Sequence, residues 1–318
     1  MLEEIGYSAS EIKKRGHENI SIIDPSCGSG TFLYSAVREI VKARDYSNVE
    51  ESKKIENEVL SNVFGLDIAE FPLYLAEMSI LMRMLPIIVT TKYNNPVDKK
   101  LKLFVTEDSI SEFIQDIGSA AGSDLQSHLA LGKEYEGFMR DEIDLDEMKS
   151  SLKILGDAQR IIPRRRFDFV IANPPYIGYN ECAKLRLKIF TMLGSKKTPR
   201  VSLNNIYGWN LHSVPNNQKK YGPKPNLYAF FLALGFASLK EDGRFCYIIP
   251  QTLLTAGDLD VVRYQLSKEY TIEKLSSFAG NLFIGRGTNQ KKKVPTSSLI
   301  IVCSRRKPSK EHEPIFPF

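Results

Sequence analysis

The chain has 318 residues, 42 % of them hydrophobic and 25 % charged, and carries a formal net charge of +5. This is ordinary globular composition, enough for one large domain or two small ones. It excludes a disulfide framework and a zinc site, because Cys27, Cys182, Cys246 and Cys303, like the four histidines, are dispersed without metal-ligand spacing.

The start, "MLEEIGYSAS", lacks the basic stretch and apolar core of a signal peptide. The most apolar run, Met78 to Thr90, is interrupted by Arg83 and Pro86, so no bilayer span is expected. Together with the scattered cysteines, this points to a reducing cytoplasm and no metal.

The first strand, Ile20 to Asp24, runs into "DPSCGSGTFL" and a helix from Thr31 to Arg44. Gly28 and Gly30 remove side chains where the chain turns and a ligand can lie against backbone. The lysine of a phosphate-binding loop is missing after Gly30, and Leu33 stands where a dinucleotide fold needs a third glycine. Alone, the Gly-x-Gly reads equally well as a turn.

The second strand, Val63 to Asp67, ends in "GLDIAE" before a helix from Glu70 to Met84. Asp67 suits a grip on ribose hydroxyls, or an N-cap for that helix. The third strand, Lys102 to Thr106, leads to "TEDSI", where Asp108, with Ser109 beside it, can accept from an exocyclic amine or cap a helix. A Gly-rich loop, a ribose acid and an amine acceptor on three successive strands describe a nucleoside pocket without a pyrophosphate clamp. S-adenosylmethionine fits that better than NAD or ATP.

An acidic, helix-like insertion occupies about 111–166. The fourth strand, Phe167 to Ala172, then meets Asn173, Pro174, Pro175 and Tyr176. The Asn173 side-chain oxygen and the Pro174 carbonyl, aimed by a locked ring, can accept both hydrogens of one planar amino group. Two fixed acceptors favour the positive charge that builds on such a nitrogen as it attacks a methyl sulfonium. Tyr176 offers a face on which a planar substrate can stack.

A basic segment rich in Asn, Pro and Gly follows at about 177–225, and no Asp or Glu occurs from Cys182 to Lys240. A polyanion partner is the expectation, with Lys196, Lys197, Arg200, Lys219 and Lys220 as phosphate contacts and Tyr207, Trp209 and Tyr221 interleaved or forming small loop cores. Helices at Asn226–Leu239 and Asp258–Lys268 flank a fifth strand, Arg244 to Ile249. Ile272–Phe278 and Ser297–Cys303 follow as strands with no helix between them, so they should pair, one antiparallel to the rest. The predicted architecture is α/β, a mostly parallel sheet with helices on both faces.

"DPSCGSGTFL", "GLDIAE", "TEDSI", "NPPY", "NLYAFFLALGFASLKEDGRFCYIIP" and "TSSLIIV", in this order, resemble the gamma group of amino-methylating DNA methyltransferases. The likeness spans roughly Ser21 to Ser304 and is closest to the methylase parts of type I and combined restriction–modification enzymes. It implies a Rossmann-like class I fold of seven strands, the last antiparallel. It also implies methyl transfer from S-adenosylmethionine to N6 of an adenine flipped out of double-stranded DNA.

By position, Asp24, Pro25, Ser26, Cys27, Gly28 and Gly30 would line the methionine and sugar of the cofactor. Asp67 would hold the ribose, Ile68 would pack on the cofactor adenine, and Asp108 and Ser109 would meet that adenine's edge. Asn173 and Pro174 would bind the target amine, and Tyr176 and Phe283 would sandwich the target base. The expected organisation is one catalytic domain over 1–318, with its core at about 20–304. A target-recognition domain is absent from it, and a specificity or nuclease subunit would lie elsewhere. The same corner serves methylases of RNA bases and of release-factor glutamine, and a non-catalytic DNA-binding subunit could keep the fold.

Overall fold

A computed structural model describes residues 1–15, 20–92, 101–106, 108–111, 166–194, 201–215, 222–284 and 295–315. The elements in chain order are α1 (Ala9–Lys14), β1 (Ile22–Asp24), α2 (Thr31–Ala43), α3 (Val49–Asn62), β2 (Val63–Asp67), α4 (Glu70–Lys92), β3 (Lys102–Val105) and β4 (Phe167–Ala172). Then come α5 (Tyr179–Lys184), α6 (Lys188–Gly194), α7 (Leu227–Ala237), β5 (Leu239–Pro250), α8 (Thr252–Thr255), α9 (Asp260–Glu269), β6 (Thr271–Ile284) and β7 (Pro295–Ser304).

Among the described residues the strands form one seven-stranded sheet in the order β3-β2-β1-β4-β5-β7-β6. β1 to β5 pair in parallel, and β7 runs antiparallel to both β5 and β6, as expected for two strands without an intervening helix. Both faces of the sheet are covered, which is why the central strands read as continuous apolar runs. Alternate residues split between two cores: Ile22, Phe169 and Ile171 face α1 to α4, while Ile23, Val170 and Ala172 face α7 and the segment after β4.

α2 buries Leu33, Ala36, Val37, Ile40 and Val41, a three-and-four spacing that makes one apolar stripe. α3 is absent from the expected elements. Its apolar face is only Ile55, Val59 and Leu60 among many charges, too thin a stripe to stand out. Its start is nevertheless written locally, since the Asn48 side chain accepts from the Glu51 amide at 2.9 Å and two glutamates occupy the first turn.

α4 runs eight residues beyond its expected end at Met84 and passes through Pro86. It is long and apolar enough to cross a membrane by length and composition, contrary to the reading of its sequence. Here it is the crossover helix between β2 and β3, with Leu73, Ala76, Ile80, Met84 and Ile87 buried in the core it shares with α2 and α3.

The basic segment is described in part. It contains α5, α6 and two tight turns bridged by Ser202–Asn205 and Ile206–Trp209. Trp209 is a core residue and not an exposed stacking platform: it lies 3 % exposed, stacked on Phe236 at 5.3 Å, with its indole N–H donating to the Tyr270 hydroxyl. The Tyr207 hydroxyl donates to the Ile110 carbonyl. Apart from Ser111 and Arg166, the acidic insertion lies outside the described residues, as do Lys196, Lys197, Arg200, Lys219, Lys220 and Tyr221.

Candidate active site

The site is set by the sheet order. β1 and β4 are parallel neighbours, with Ile23 opposite Val170, so the loop after Asp24 and the corner at Asn173 leave the sheet side by side. The loop after β1 leads to α2 on one face. The corner after β4 leads to Cys182, Ile189 and Met192 on the other. Chains that diverge to opposite faces at the carboxyl ends of adjacent strands leave a crevice between them, where open α/β sheets bind ligands.

The glycine loop is fixed by backbone hydrogen bonds. The Ser26 amide donates to Asp24 Oδ1 at 3.0 Å, the Cys27 amide to the Leu66 carbonyl at 2.9 Å, and the Gly30 amide to the Cys27 carbonyl at 2.8 Å. Gly28 and Gly30 both have left-handed backbones, with φ of +52° and +77°. A Cβ on Gly30 would lie 2.6 Å from the Ala76 Cβ of α4, so close helix packing requires glycine there. A Cβ on Gly28 would meet nothing within 4 Å, so that glycine faces open space. Gly30 also precedes α2 without a side-chain cap, so among the described residues the first amides of that helix have no capping side chain.

Asp24 is 1 % exposed, and burial, opposed by the Ser26 amide and reinforced by Asp67, pushes its carboxyl up to about 8. The Ser26 hydroxyl is buried beside it without a hydrogen-bond partner among the described residues. A buried acid with no cation beside it among the described residues, an orphan hydroxyl and a glycine open to the crevice form a donor set suited to a ligand bearing an ammonium group. These residues therefore fit S-adenosylmethionine.

Asp67 carries more structure than its sequence position suggests. Its Oδ2 accepts from the Gly28 amide at 2.8 Å and its Oδ1 from the Ala69 amide at 3.0 Å, so it orders the glycine loop and begins α4. Each oxygen keeps a second lone pair for a hydroxyl donor. The neighbouring Ile68 side chain is 62 % exposed, an apolar face available for packing.

Asp108 and Ser109 are less open than expected, at 6 % and 2 % exposure. The Asp108 carboxylate accepts from the Ile110 amide and, across the fold, from the Ile189 amide of α6, both at 2.9 Å. The Ser109 hydroxyl pairs with that of Thr106 at 3.0 Å.

At the corner, Asn173 is half-buried, Pro174 buried and Pro175 exposed. The Tyr176 hydroxyl lies 2.9 Å from Asn173 Oδ1 and 3.1 Å from the Ile248 carbonyl, and its one proton serves one of them at a time. Burial pushes this phenol up to about 12, so it remains a donor near neutrality. The ring meets Tyr228 edge to face at 6.5 Å. Phe283 lies on β6, with its backbone opposite Thr296, and its side chain is outside the described residues.

The sequence reading overlooked a groove of about 710 Å³ that begins where the corner ends. Gly178, Tyr179, Asn180, Glu181, Lys184, Lys224 and Asp258 line it. Its two lysines stand at the two ends of the basic segment; their approach across a fold is invisible in the sequence. Among the described residues no group of acids, histidines and cysteines could hold a metal ion.

Residues 61–283, well over half of the chain, match the family model described as Eco57I restriction-modification methylase. Among curated proteins, the chain is 26 % identical over 175 residues to the adenine-specific methyltransferase PglX of Streptomyces coelicolor, covering 52 % of this chain and 13 % of that protein. It is 26 % identical over 124 residues to a type II methyltransferase of Thermus thermophilus, covering 39 % and 24 %. The chain thus spans less than a quarter of the length of these relatives. Among solved structures, the DNA-bound ATP-dependent type ISP restriction-modification enzyme LlaBIII superposes with a TM-score of 0.51 at 15 % identity, over 99 % of this chain and 19 % of that one. A nuclease-deletion mutant of the type ISP enzyme LlaGI superposes with a TM-score of 0.50 at 14 % identity, over 99 % and 23 %. At such identities these two likenesses concern the fold alone.

Proposed function

Because this chain belongs to the Eco57I restriction-modification methylase family, we propose that it is the catalytic domain of a DNA adenine-N6 methyltransferase acting in restriction–modification. The observation that carries this reading is the crevice between β1 and β4, with the Asp24–Gly30 loop on one wall and the Asn173 corner on the other. One wall suits a cationic cofactor and the other an amino group, on adjacent strands.

S-adenosylmethionine, when bound, supplies a methyl carbon on a sulfonium. Asp24 and the Ser26 hydroxyl would hold its ammonium end, the Gly28 backbone would lie against it, and Asp67 and Ile68 would take its ribose and adenine. On the other wall, the Asn173 side-chain oxygen and the Pro174 carbonyl accept the two hydrogens of the target amine. They align its nitrogen and stabilise the positive charge it acquires before a proton leaves. For the amine to reach Asn173 Oδ1, the Tyr176 hydroxyl turns to its second acceptor, the Ile248 carbonyl. The Tyr176 ring then takes the face of the extruded base, with Phe283 as its counterpart on β6.

Double-stranded DNA is the partner this reading requires, with Lys184 and Lys224 and the lysines and arginine of the basic segment neutralising phosphates. A specificity or nuclease subunit, or a further domain, would supply target recognition. The cytoplasm is the compartment consistent with four unpaired, buried cysteines.

The test is transfer of tritium from labelled S-adenosylmethionine by the intact protein to DNA, RNA or release factor. Label in adenine N6 of DNA, abolished by Asn173→Ala, supports the reading. Label in RNA or in glutamine moves the same corner to another substrate, and label nowhere leaves a binding subunit.

A further inference from the structure

Hydrogen bonds linked by short steps of backbone run from the glycine loop to the substrate-side segment. The Gly28 amide is held by Asp67 Oδ2 at 2.8 Å, and the Asp67 carbonyl accepts from the Thr106 amide at 2.9 Å. The Thr106 hydroxyl meets that of Ser109 at 3.0 Å. Asp108 then spends one carboxylate oxygen on its own turn and the other on the Ile189 amide in the first turn of α6, at 2.9 Å. Beside it, the Ile110 carbonyl receives the Tyr207 hydroxyl. The short stretch 108–110 is therefore clasped by two separate parts of the segment that follows the Asn173 corner. The clasp is buried: Asp108 is 6 % exposed, and Ile110 and Ile189 are fully enclosed.

We propose that Asp108 is a positioning residue that couples occupancy of the cofactor pocket to the docking of α6, and through it to the placement of the substrate-side segment. This rests on the reading of the β1–β4 crevice as a methyl-transfer site. The carboxylate lies three residues past the end of β3, whose last residue, Val105, pairs with the Asp67 that orders the glycine loop. It also supplies the charge-assisted acceptor for a helix that has no acidic residue in its own first turn. A ligand that firms the strand tips firms the acceptor, and with it the helix. By linkage, a nucleic acid that firms the helix must tighten the cofactor pocket by the same factor.

Hydrogen exchange on the intact protein tests this with sinefungin, a stable analogue carrying an amine in place of the methyl sulfonium. In the wild type, sinefungin is expected to slow exchange of the 188–194 amides of α6. A target duplex is expected to tighten sinefungin by a matching factor. Asp108→Asn keeps the shape of the side chain but replaces one acceptor oxygen with a donor. It should speed exchange at Ile189 by roughly tenfold, the loss of one charge-assisted hydrogen bond. It should also erase the mutual tightening, read as the ratio of sinefungin affinities with and without the duplex.

If sinefungin binds the wild type and leaves 188–194 unchanged, the coupling is wrong and the methyl-transfer reading survives. If sinefungin fails to bind the wild type at all, both fall. The wild-type comparison decides even if the variant does not fold. Equal mutual tightening in Asp108→Asn and wild type would also overturn the role given to this carboxylate.

Discussion

The two left-handed glycines of the β1 loop have the same backbone demand and different surroundings, which makes them a matched test of the site. Replacing either with alanine places a Cβ on a left-handed residue, at a cost of about 1–2 kcal/mol. At Gly28 the cost stops there, because nothing lies within 4 Å of the new methyl group. At Gly30 the methyl group would sit 2.6 Å from the Ala76 Cβ and 3.0 Å from its Cα, inside the packed surface of α4. Overpacking of this kind costs a further ~1–3 kcal/mol. Gly30→Ala should therefore lose about 2–5 kcal/mol of unfolding free energy and Gly28→Ala about 1–2 kcal/mol. The assay is urea denaturation followed through the fluorescence of Trp209, the single tryptophan, buried against Phe236. Sinefungin affinity should rank the pair in the opposite order of diagnosis. Gly28→Ala, the less destabilised of the two, should bind poorly, because its methyl group occupies the space assigned to the ligand. Equal stability losses at the two positions, or undiminished binding by Gly28→Ala, would refute the assignment of the crevice wall.

Asp24 gives a pH test: with its carboxyl at about 8 it is mostly protonated at pH 7, and a cationic ligand beside it favours the ionised form. Sinefungin binding should release up to one proton at pH 7 and almost none at pH 9, with affinity rising through pH 8; titration calorimetry in buffers of different ionisation enthalpy reads this directly. Tyr176→Ala should weaken productive DNA binding by roughly 1–3 kcal/mol in kcat/KM, the value of a stacked base, while Tyr176→Phe keeps the ring and retains most activity. Trp209→Ala should cost about 3–5 kcal/mol of stability and leave the salt dependence of DNA binding unaltered, since its ring lies in the core. Asp168 is half-buried, which raises its carboxyl, yet Lys240 at 2.9 Å and the two Ser21 donors outweigh that and hold it below its usual value. Its contribution is present above about pH 4 and lost as pH falls further, so Asp168→Asn should flatten the acid limb of the stability curve.

What the sequence disclosed and what it hid divide along a physical line. The seven strands and the pairing of the last two were legible because buried parallel strands are runs of apolar residues with few alternatives. The glycine loop and the Asn173 corner were legible because each departs from what an ordinary turn would use. α3 escaped because a helix lying over other helices needs only a thin apolar stripe, and its charges masked Ile55, Val59 and Leu60. Trp209 stayed ambiguous because an aromatic among lysines reads as surface or loop core alike, and Phe236 and Tyr270, which enclose it, come from distant elements. Asp67 and Asp108 were found, but their hydrogen bonds to Gly28 and Ile189 were not. A carboxylate announces that it can accept, while the amide it accepts from is a backbone group carried by any residue. The chemistry of a site is written in side chains and so can be read along the chain; the amides that hold those side chains in place belong to the fold. Asp108 shows the consequence: the residue type could be assigned to a pocket from its position, but its second grip, on α6, exists only once the chain has brought residue 189 beside residue 108.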